Sequence, residues 1–379
     1  MDFNLTSEQK LFQKTIREFC EKEIKPIANK IDKEEYFPKG LYKKMGQMGL
    51  MGMTVPQKYG GAGIDRVGYM IALEEISRIC GSTGLTVEAH NSLGIGHIYE
   101  HGTEEQRRKY LPKLCSGQGF AAWALTEPNS GSDAAGAQTT AVLKKNEWVI
   151  NGTKQFITSG DIADVTVVMC KTDKEKGAKG ISAILVEKDT KGFKVGQLED
   201  KLGIRGSHTA ELIFEDCKVP KENLIGTQDM GFIGAMNILD RGRTAIGAMS
   251  VGIAQAALED SLDYAKQRQQ FGKPIGKFQA IQWMLADMAT EVEAARLLVY
   301  RAAFLEDQKI KFTKEASMAK LFASEMAMKV TNKAIQIFGG YGYTREYPVE
   351  RYFRDIKLCT IGEGTSEVQR MVIARQLGL

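Results

Sequence analysis

The sequence has few of the residues that build metal or disulfide sites. Its 379 residues include six cysteines, none in a C-x-x-C pair, and four histidines without an H-E-x-x-H spacing. This argues against a zinc site and a disulfide framework, and it favours a reducing, cytoplasmic environment. No apolar run approaches the ~20 residues that a membrane span requires. The first six residues lack the basic and apolar segments of a secretory signal, so we expect none.

Charge of one sign is also lacking. The 51 basic and 47 acidic residues give a net charge of +4, so no strong field for nucleic acid is expected. The longest basic run, Arg107-Arg108-Lys109, follows Glu104 and Glu105, which indicates a solvated helix face. A hydrophobic content of 43% and a charged content of 26% are typical of an ordinary globular protein. The length suggests two or three domains.

Two familiar nucleotide-binding motifs are missing. The pairs Gly272-Lys273 and Gly276-Lys277 lack the following Ser or Thr of a Walker A sequence. The glycines Gly117 and Gly119 precede a predicted strand instead of following one, and no βαβ unit surrounds them. We interpret them as a helix-to-strand turn. A nucleotide cofactor would therefore bind here without a Rossmann fold.

The pattern of predicted elements changes twice along the chain. Residues 1–119 are predicted to be helical, and the first helix follows Thr6 with an apolar stripe that includes Leu11 and Ile16. Residues 120–230 contain short apolar runs, and Asn151-Gly152 is interpreted as a hairpin-type turn. This block is predicted to be antiparallel, because no helices intervene to make parallel crossovers. Residues 231–379 return to long helices, predicted over 245–268, 278–306 and 314–338.

A carboxylate between two glycines lies near the end of the chain, in Gly362-Glu363-Gly364-Thr365-Ser366. The glycines would let a substrate approach the backbone of Glu363 closely. The hydroxyls of Thr365 and Ser366 predict a helix N-cap before the run 368–377. Taken alone, the motif also fits a capped surface turn.

Four other segments carry candidate cofactor contacts. Residues 123–133 (W-A-L-T-E-P-N-S-G-S-D) are rich in small and hydroxyl residues, whose backbone N–H groups suit an anion or a ring carbonyl. Phe156 and Thr158 are two residues apart in a predicted strand, which suits stacking and hydrogen bonding to a flat heterocycle; a core Phe is the alternative. Segments 268–272 and 336–343 close long helices, where Arg and Gln can reach a pyrophosphate. Capping by glycine is the alternative there.

Together these motifs resemble those of the acyl-CoA dehydrogenase family. Six motifs occur in family order, and the resemblance runs along the whole chain: A-L-T-E-P-x-x-G-S-D, N-G-T-K-x-x-I-T, D-K-L-G-I-R-G-S, R-x-x-F-G, Q-I-F-G-G-Y-G-Y and E-G-T-S-E. The resemblance implies an α+β fold with an N-terminal α-helical domain (1–119), a middle antiparallel β-barrel (120–230) and a C-terminal four-helix bundle (231–379). It also implies FAD as cofactor, acyl-CoA as substrate, a homotetramer, and an electron-transfer flavoprotein as acceptor.

The resemblance assigns roles to individual residues. Glu363 would be the base that removes the α-proton of the acyl-CoA. The implied flavin contacts are Trp123, Leu125, Thr126, Ser132, Phe156, Ile157, Thr158, Thr365 and Glu367, and the implied ADP-side contacts are Arg268, Phe271, Gln279, Gln336, Gly339 and Gly340. The implied substrate contacts are Ser132, Asp240, Arg243, Gly362 and Gly364.

Two positions bear on the chemistry within that family. Some members carry the base directly before the second arginine of the segment 239–243, and here that position is Gly242, so Glu363 has no rival. The family usually has Tyr before the base, where this chain has Gly362. We therefore expect a pocket for a branched or alicyclic acyl group, with a linear butyryl-type substrate as the alternative. The polar segment 87–92 is expected near the far end of the acyl pocket, unless its charged residues face solvent.

Two other functional classes stay open on the sequence alone. One is a flavoprotein on the same scaffold that binds thioesters without oxidising them, and the presence of Glu363 argues against it. The other is a flavin oxidase that passes electrons to oxygen instead of to an electron-transfer flavoprotein.

Overall fold

The computed structural model describes residues 4–379. Residues 4–119 form helices and their connecting turns, as predicted, and they include two π-helical segments, Cys20–Ile24 and Ala89–Ile95. The turn 116–119 then leads into the first strand, as predicted for the two glycines, and Gly117 adopts φ 68° there. The helices are α1 (Ser7–Phe19), α2 (Ala28–Lys33), α3 (Lys39–Gln47), α4 (Arg66–Ile79), α5 (Gly81–Glu88), α6 (Gly96–His101) and α7 (Glu104–Cys115).

Helix α1 begins with a capping box. Thr6 Oγ1 accepts a hydrogen bond from the Gln9 N–H, and Gln9 Oε1 accepts one from the Thr6 N–H, both at 3.1 Å. Ile16 is buried as the stripe predicts, whereas Leu11 is 66% exposed. The prediction for Leu11 is wrong because the buried face of α1 is narrower than its apolar stripe.

The middle of the chain forms one sheet. Among residues 4–379 its strands are β1 (Ala121–Ala124), β2 (Thr140–Lys144), β3 (Glu147–Thr158), β4 (Val165–Lys171), β5 (Ile181–Glu187), β6 (Phe193–Leu198), β7 (Thr209–Pro220) and β8 (Leu224–Ile225). The order is β6-β7-β3-β2-β4-β5-β8, with β1 also beside β4. Because the end strands β6 and β8 do not pair with each other, the path is open and the predicted closed barrel is not confirmed.

The sheet is also mixed, so the prediction of purely antiparallel pairing is wrong. Strand β1 runs parallel to β4, and β2 meets β4 in parallel at one residue pair. The other strand pairs of this sheet are antiparallel. A helix is not needed for the β1-to-β4 crossover, because the β2–β3 hairpin supplies the connection between them.

Asn151-Gly152 is not a hairpin turn. Strand β3 continues through it, and the β3–β7 register shifts between Ile150 and Gly152. Gly152 has φ 146°, and a Cβ there would meet Thr139 at less than 3 Å. The dipeptide therefore marks a β-bulge. A bulge, like a tight turn, can require glycine because the backbone conformation and the close neighbour leave no room for a side chain.

Long helices return after the sheet: α8 (Gly231–Gln267), α9 (Gln279–Asp307), α10 (Thr313–Phe338), α11 (Val349–Ile356) and α12 (Ser366–Gln376). A short hairpin, β9 (Gln269–Gln270) with β10 (Lys273–Pro274), separates α8 from α9. Helix α8 begins 14 residues before its predicted start at 245. Helices from both ends of the chain share one hydrophobic core, in which α4 packs on α8. In the described chain no helix combines the length and the apolar character that a membrane span requires.

Candidate active site

The loop that carries Glu363 joins a 3₁₀ turn, Lys357–Thr360, to helix α12. Glu363 adopts φ 55° and Gly364 φ 97°, a left-handed conformation that is uncommon for a residue with a side chain. Thr365 Oγ1 accepts a hydrogen bond from the Val368 N–H at 3.3 Å and caps α12, as predicted. Non-glycine residues with left-handed φ are frequent at functional sites, so the backbone conformation of Glu363 favours a functional role for it.

Two buried side chains outside the predicted motifs hold this loop. Lys320 of α10 donates a hydrogen bond to the Gly364 carbonyl at 2.7 Å. Gln369 of α12 donates to the carbonyls of Glu363 at 3.1 Å and Gly364 at 2.9 Å. Burial lowers the pKa of Lys320 to about 8. The only sequence signal for Lys320 is a charged residue within the small-residue run A-S-M-A-K-L of a helix.

The Glu363 carboxylate points into the protein against α8. Both of its oxygens are buried, and apart from the neighbouring Glu88 carboxyl no hydrogen-bonding group within residues 4–379 reaches them. A Cβ added at Gly242 would lie 2.6 Å from the Glu363 carboxylate carbon. Burial raises the pKa of Glu363 to about 7, although Glu88, Lys320 and Arg243 oppose that rise. A buried carboxylate with a raised pKa and free oxygens is suited to general-base chemistry.

The two α8 residues assigned to the substrate flank Gly242. Arg243 Nη1 donates to Asp240 Oδ1 at 2.7 Å, and Thr313 Oγ1 donates to Asp240 Oδ2 at 2.6 Å. Both Asp240 and Arg243 are buried, and Arg243 Nε is without a partner in the described chain. Burial raises the pKa of Asp240, against the hydrogen bond from Thr313 and the charge of Arg243. Arg243 thus keeps one buried N–H available near Glu363.

Glycine at 362 is not required by the local backbone. Gly362 does not adopt a left-handed φ, and the atom nearest to an added Cβ would be the Leu358 carbonyl oxygen, at 3.6 Å. That distance is an ordinary van der Waals contact. The glycine therefore leaves space that a side chain would otherwise fill.

The polar segment 87–92 does not face solvent, so that alternative is wrong. Glu88 at the end of α5 and His90 in the following π-helical segment are both buried. His90 Nδ1 accepts a hydrogen bond from the Ala121 N–H at 3.1 Å. Burial raises the pKa of Glu88 well above its usual value, and the charge of Glu363 adds to that rise. The segment therefore places a second carboxyl group beside Glu363.

The first two β-domain motifs lie side by side. The Thr126 carbonyl accepts a hydrogen bond from the Gln155 N–H at 2.9 Å, and the Leu125 carbonyl accepts one from Lys154 Nζ at 2.9 Å. Lys154 also pairs with the buried Glu127 at 2.8 Å. Trp123 Nε1 donates to a histidine of α6, His97, at 3.1 Å. The segments 123–133 and 155–159 therefore form one surface.

The side chain of Phe156 projects from that surface into solvent. The residue has φ 58° and is 61% exposed, so the alternative of a core Phe is wrong. The β3–β7 register shifts between Lys154 and Ile157, so the strand alternation expected for Phe156 and Thr158 does not hold. Ile157 is buried, Thr158 is half-buried, and Ser132 is exposed in the loop.

An open cavity of about 590 Å³ lies between the ends of α8 and α10. Arg268, Gly339 and Gly340 line it together with Tyr341, whose ring lies 5.4 Å from the Arg268 guanidinium carbon. Among residues 4–379 no carboxylate pairs with Arg268. The other assigned residues of this region are exposed and outside the cavity lining; they are Phe271 (93% exposed), Gln279 and Gln336. Glu367 is exposed in the first turn of α12.

These features fit a flat heterocycle joined to a pyrophosphate, such as FAD. Phe156 and Phe271 offer exposed aromatic surface for stacking. Arg268 offers a guanidinium that no carboxylate of residues 4–379 pairs with, which suits a phosphate. A Cβ added at Gly339 or Gly340 would meet nothing within 4 Å, so the backbone there is open to a ligand.

The family models match nearly the whole chain. The acyl-CoA dehydrogenase N-terminal domain matches residues 6–118, the middle domain 122–217 and the C-terminal domain 229–378. One curated relative, the short-chain specific acyl-CoA dehydrogenase of Clostridium acetobutylicum, is 52% identical over 377 residues and covers 100% of both chains.

Solved structures are similar throughout. The butyryl-CoA dehydrogenase of Megasphaera elsdenii has a TM-score of 0.98 at 45% identity, with 100% of both chains covered. A chain in the structure described as the electron transferring flavoprotein of Acidaminococcus fermentans also scores 0.98, at 50% identity, covering 100% of this chain and 99% of that one. The Bacillus anthracis acyl-CoA dehydrogenase complexed with FAD scores 0.94 at 40% identity, covering 99% of this chain and 67% of that one.

Proposed function

The chain belongs to the acyl-CoA dehydrogenase family, and on that basis we propose that it oxidises short-chain acyl-CoA thioesters to 2-enoyl-CoA with FAD. The observation that carries the proposal is the Glu363 carboxylate, which is buried and has a raised pKa; within residues 4–379 only the Glu88 carboxyl reaches its oxygens. No ordinary structural role explains a buried carboxylate left in this state.

Removal of the α-proton is the step assigned to Glu363. The proton moves from Cα of the thioester to a Glu363 carboxylate oxygen, and a base is most effective when its pKa is near the working pH. The negative charge that develops on the thioester oxygen needs a donor. The backbone N–H of Glu363 is suited to that role, because it has no acceptor among the described residues.

FAD, when bound, supplies the acceptor for the hydride that leaves Cβ. We assign its ring and ribityl side to Trp123, Leu125, Thr126, Ser132, Phe156, Ile157, Thr158, Thr365 and Glu367. We assign its ADP side to Arg268, Phe271, Gln279, Gln336, Gly339 and Gly340. The open glycines and the Arg268 guanidinium that lines the cavity support the second group most directly.

The substrate contacts follow the same logic. We assign the CoA thioester to Ser132, Asp240, Arg243, Gly362 and Gly364. The unpartnered Nε of Arg243 supports this, because a buried guanidinium N–H needs an acceptor. A ligand oxygen would supply that acceptor next to Glu363.

A linear short-chain acyl group is the substrate we favour. The support comes from two relatives, one named short-chain specific and the other butyryl-CoA dehydrogenase. A branched or alicyclic acyl group is the second candidate, and the open space beside Gly362 favours it. For partners, we propose a homotetramer and an electron-transfer flavoprotein as acceptor, the latter supported by the Acidaminococcus fermentans match.

The decisive experiment uses the FAD-loaded enzyme without oxygen. Butyryl-CoA should bleach the flavin absorbance, and air should yield no peroxide, which separates a dehydrogenase from an oxidase. The variant Glu363→Gln should still bind butyryl-CoA, measured by calorimetry, but should not bleach. Binding without bleaching by the unaltered enzyme would point to a thioester-binding protein instead, and normal bleaching by Glu363→Gln would remove Glu363 as the base.

A further inference from the structure

A second carboxyl group lies beside Glu363. An aliphatic acyl chain has no polar group with which this carboxyl could interact. Glu88 ends helix α5 and is 0% exposed. Its Oε2 has no hydrogen-bond partner in the part of the chain described, apart from its interaction with Glu363. The next seven residues are π-helical, an irregularity that is frequent at functional sites.

The groups that face this pair come from several elements. Ser92 of the π-helical segment donates its hydroxyl to the Glu88 side chain and, at 2.8 Å, to the Glu88 carbonyl. Tyr69 of α4 also donates to that carbonyl, at 3.4 Å. The positive charges acting on Glu363 are Lys320 of α10 and Arg243 of α8.

Those positive charges are already engaged. Lys320 donates to the Gly364 carbonyl, and Arg243 pairs with Asp240. Neither donates a hydrogen bond to a Glu363 oxygen. Two carboxylates in contact in a dry site cannot both be ionised at little cost, so such a pair tends to keep one proton.

We propose that Glu88 is a positioning residue that holds this proton and donates it in a hydrogen bond to the Glu363 carboxylate. The pair then carries a single negative charge, located on Glu363, which is the residue assigned to the substrate. When Glu363 accepts the α-proton, both carboxyls are protonated, and the pair is neutral beside the developing enolate. The inference rests on the proposed function of Glu363 as base.

The pKa shifts of the two groups agree with a proton on Glu88 and a negative charge on Glu363. Burial and the charge of Glu363 raise the pKa of Glu88 well above its usual value. The hydrogen bond with Glu88 is the largest effect that opposes the rise of the Glu363 pKa, which stays at about 7. The charge of Glu363 thus favours the proton on Glu88, and the hydrogen bond with Glu88 favours the charge on Glu363.

The test compares three variants of the FAD-loaded enzyme. Glu88→Gln keeps a hydrogen-bond donor but has no ionisable proton, and Glu88→Leu keeps the volume but has no donor. Ser92→Ala removes a contact of Glu88 and leaves both carboxyls in place. Two readouts are used: the infrared C=O band of protonated carboxylic acids without substrate, and the pH profile of kcat/KM for butyryl-CoA.

Once the pH exceeds 7, the unaltered enzyme and Ser92→Ala should show a carboxylic-acid band that both Glu88 variants lack. Glu88→Gln should keep the rise of kcat/KM near pH 7 and lose any decline at alkaline pH. Glu88→Leu should move the rise to higher pH; the first unit of that move lowers kcat/KM at pH 7 about fivefold and each further unit about tenfold.

An unchanged band in Glu88→Gln, or identical pH profiles for Glu88→Leu and the unaltered enzyme, would overturn the proposal. The infrared readout needs no turnover. If no acyl-CoA were oxidised, the proposed function would fail, and the band would still decide where the proton is.

Discussion

The carboxylate of Glu363 lies against the Cα of Gly242, in space that any side chain at position 242 would occupy. A Cβ built there overlaps Oε2 and would be 2.6 Å from the carboxylate carbon and 2.8 Å from Oε1. Real Cβ atoms do not approach other heavy atoms so closely. Glycine inside a 37-residue helix costs about 1 kcal/mol relative to alanine, and the room it gives to Glu363 explains why it is there.

Gly242→Ala should therefore reduce activity through the position of Glu363. We expect kcat/KM for a short-chain acyl-CoA to fall about 100-fold, because small misplacements of a catalytic group have effects of this size. The far-ultraviolet circular dichroism should be retained, since alanine favours the helix.

The matched control is Gly234→Ala in the same helix. An added Cβ there would meet the His101 ring at 3.4 Å or more, an ordinary contact. It should leave kcat/KM nearly unchanged. Equal activity of both variants would show that Glu363 does not need the space at Gly242.

The early start of α8 shows one limit of the sequence. Gly231, Gly234 and Gly242 lower helix propensity in that stretch, so the pattern predicted a start at 245. Gly231 and Gly242 leave room for neighbouring elements that approach the helix closely, as Glu363 approaches Gly242. The contact of Gly242 with Glu363 joins residues more than 100 positions apart, and no local pattern records it.

The pH dependence of the reaction should follow Glu363. The base acts as the carboxylate, and burial raises its pKa to about 7. Protonation at lower pH removes the active form, so kcat/KM should rise with pH up to about 7 and fall about tenfold per unit below it. Measurement of kcat/KM for butyryl-CoA across the acid range checks this; a rise centred near 4.5, the ordinary value for glutamate, would contradict it.

Lys320→Met should raise the pKa of Glu363. The change removes the positive charge that lowers the pKa of Glu363 and the donor to the Gly364 carbonyl. The acid limb of the kcat/KM profile should therefore move to higher pH. Lys329→Met, an exposed position on the same helix, should leave the profile in place. An unmoved limb in Lys320→Met would mean that its charge does not reach Glu363.

The sequence predicted the motifs better than the groups that support them. Glu363, Asp240 and Arg243 were found because their spacing resembles a family pattern, and the structure brings them together. Lys320 and Gln369 lie in helices without such a pattern, and burial alone gives them a role. Glu88 lies in the polar segment 87–92 that was expected near the acyl pocket, but its position beside Glu363 was not predicted. The sequence cannot show burial of a polar side chain, because it depends on which faces of distant helices meet.

Arg268→Gln should weaken FAD binding. The guanidinium lines the cavity of about 590 Å³ and has no carboxylate partner in residues 4–379, so it is available for a phosphate. Loss of a charge-assisted contact of ~1.5–3 kcal/mol would raise the Kd of FAD about 10- to 100-fold. Titration of the apoprotein by quenching of FAD fluorescence measures this. Lys266→Gln removes an exposed charge two residues away and should have little effect; equal losses in the two variants would indicate a general charge effect.

Gly362 separates the two candidate substrates. Its added Cβ would make only ordinary contact with Leu358, so a larger side chain can be accommodated there and would narrow the space beside Glu363. If the substrate is linear, Gly362→Ala should leave kcat/KM for butyryl-CoA within about threefold, since one methyl group in contact at 3.6 Å costs little. If the substrate is branched or alicyclic, the same variant should lower kcat/KM for isobutyryl- or cyclohexanecarboxyl-CoA about tenfold or more relative to butyryl-CoA, because overpacking costs ~1–3 kcal/mol.

The measurement that separates the two substrates is kcat/KM of both enzymes for these three thioesters with one artificial electron acceptor. We expect butyryl-CoA to be the best substrate of the unaltered enzyme; a clear preference for either bulkier thioester, lost in Gly362→Ala, would overturn the linear assignment and make Gly362 the residue that sets the pocket.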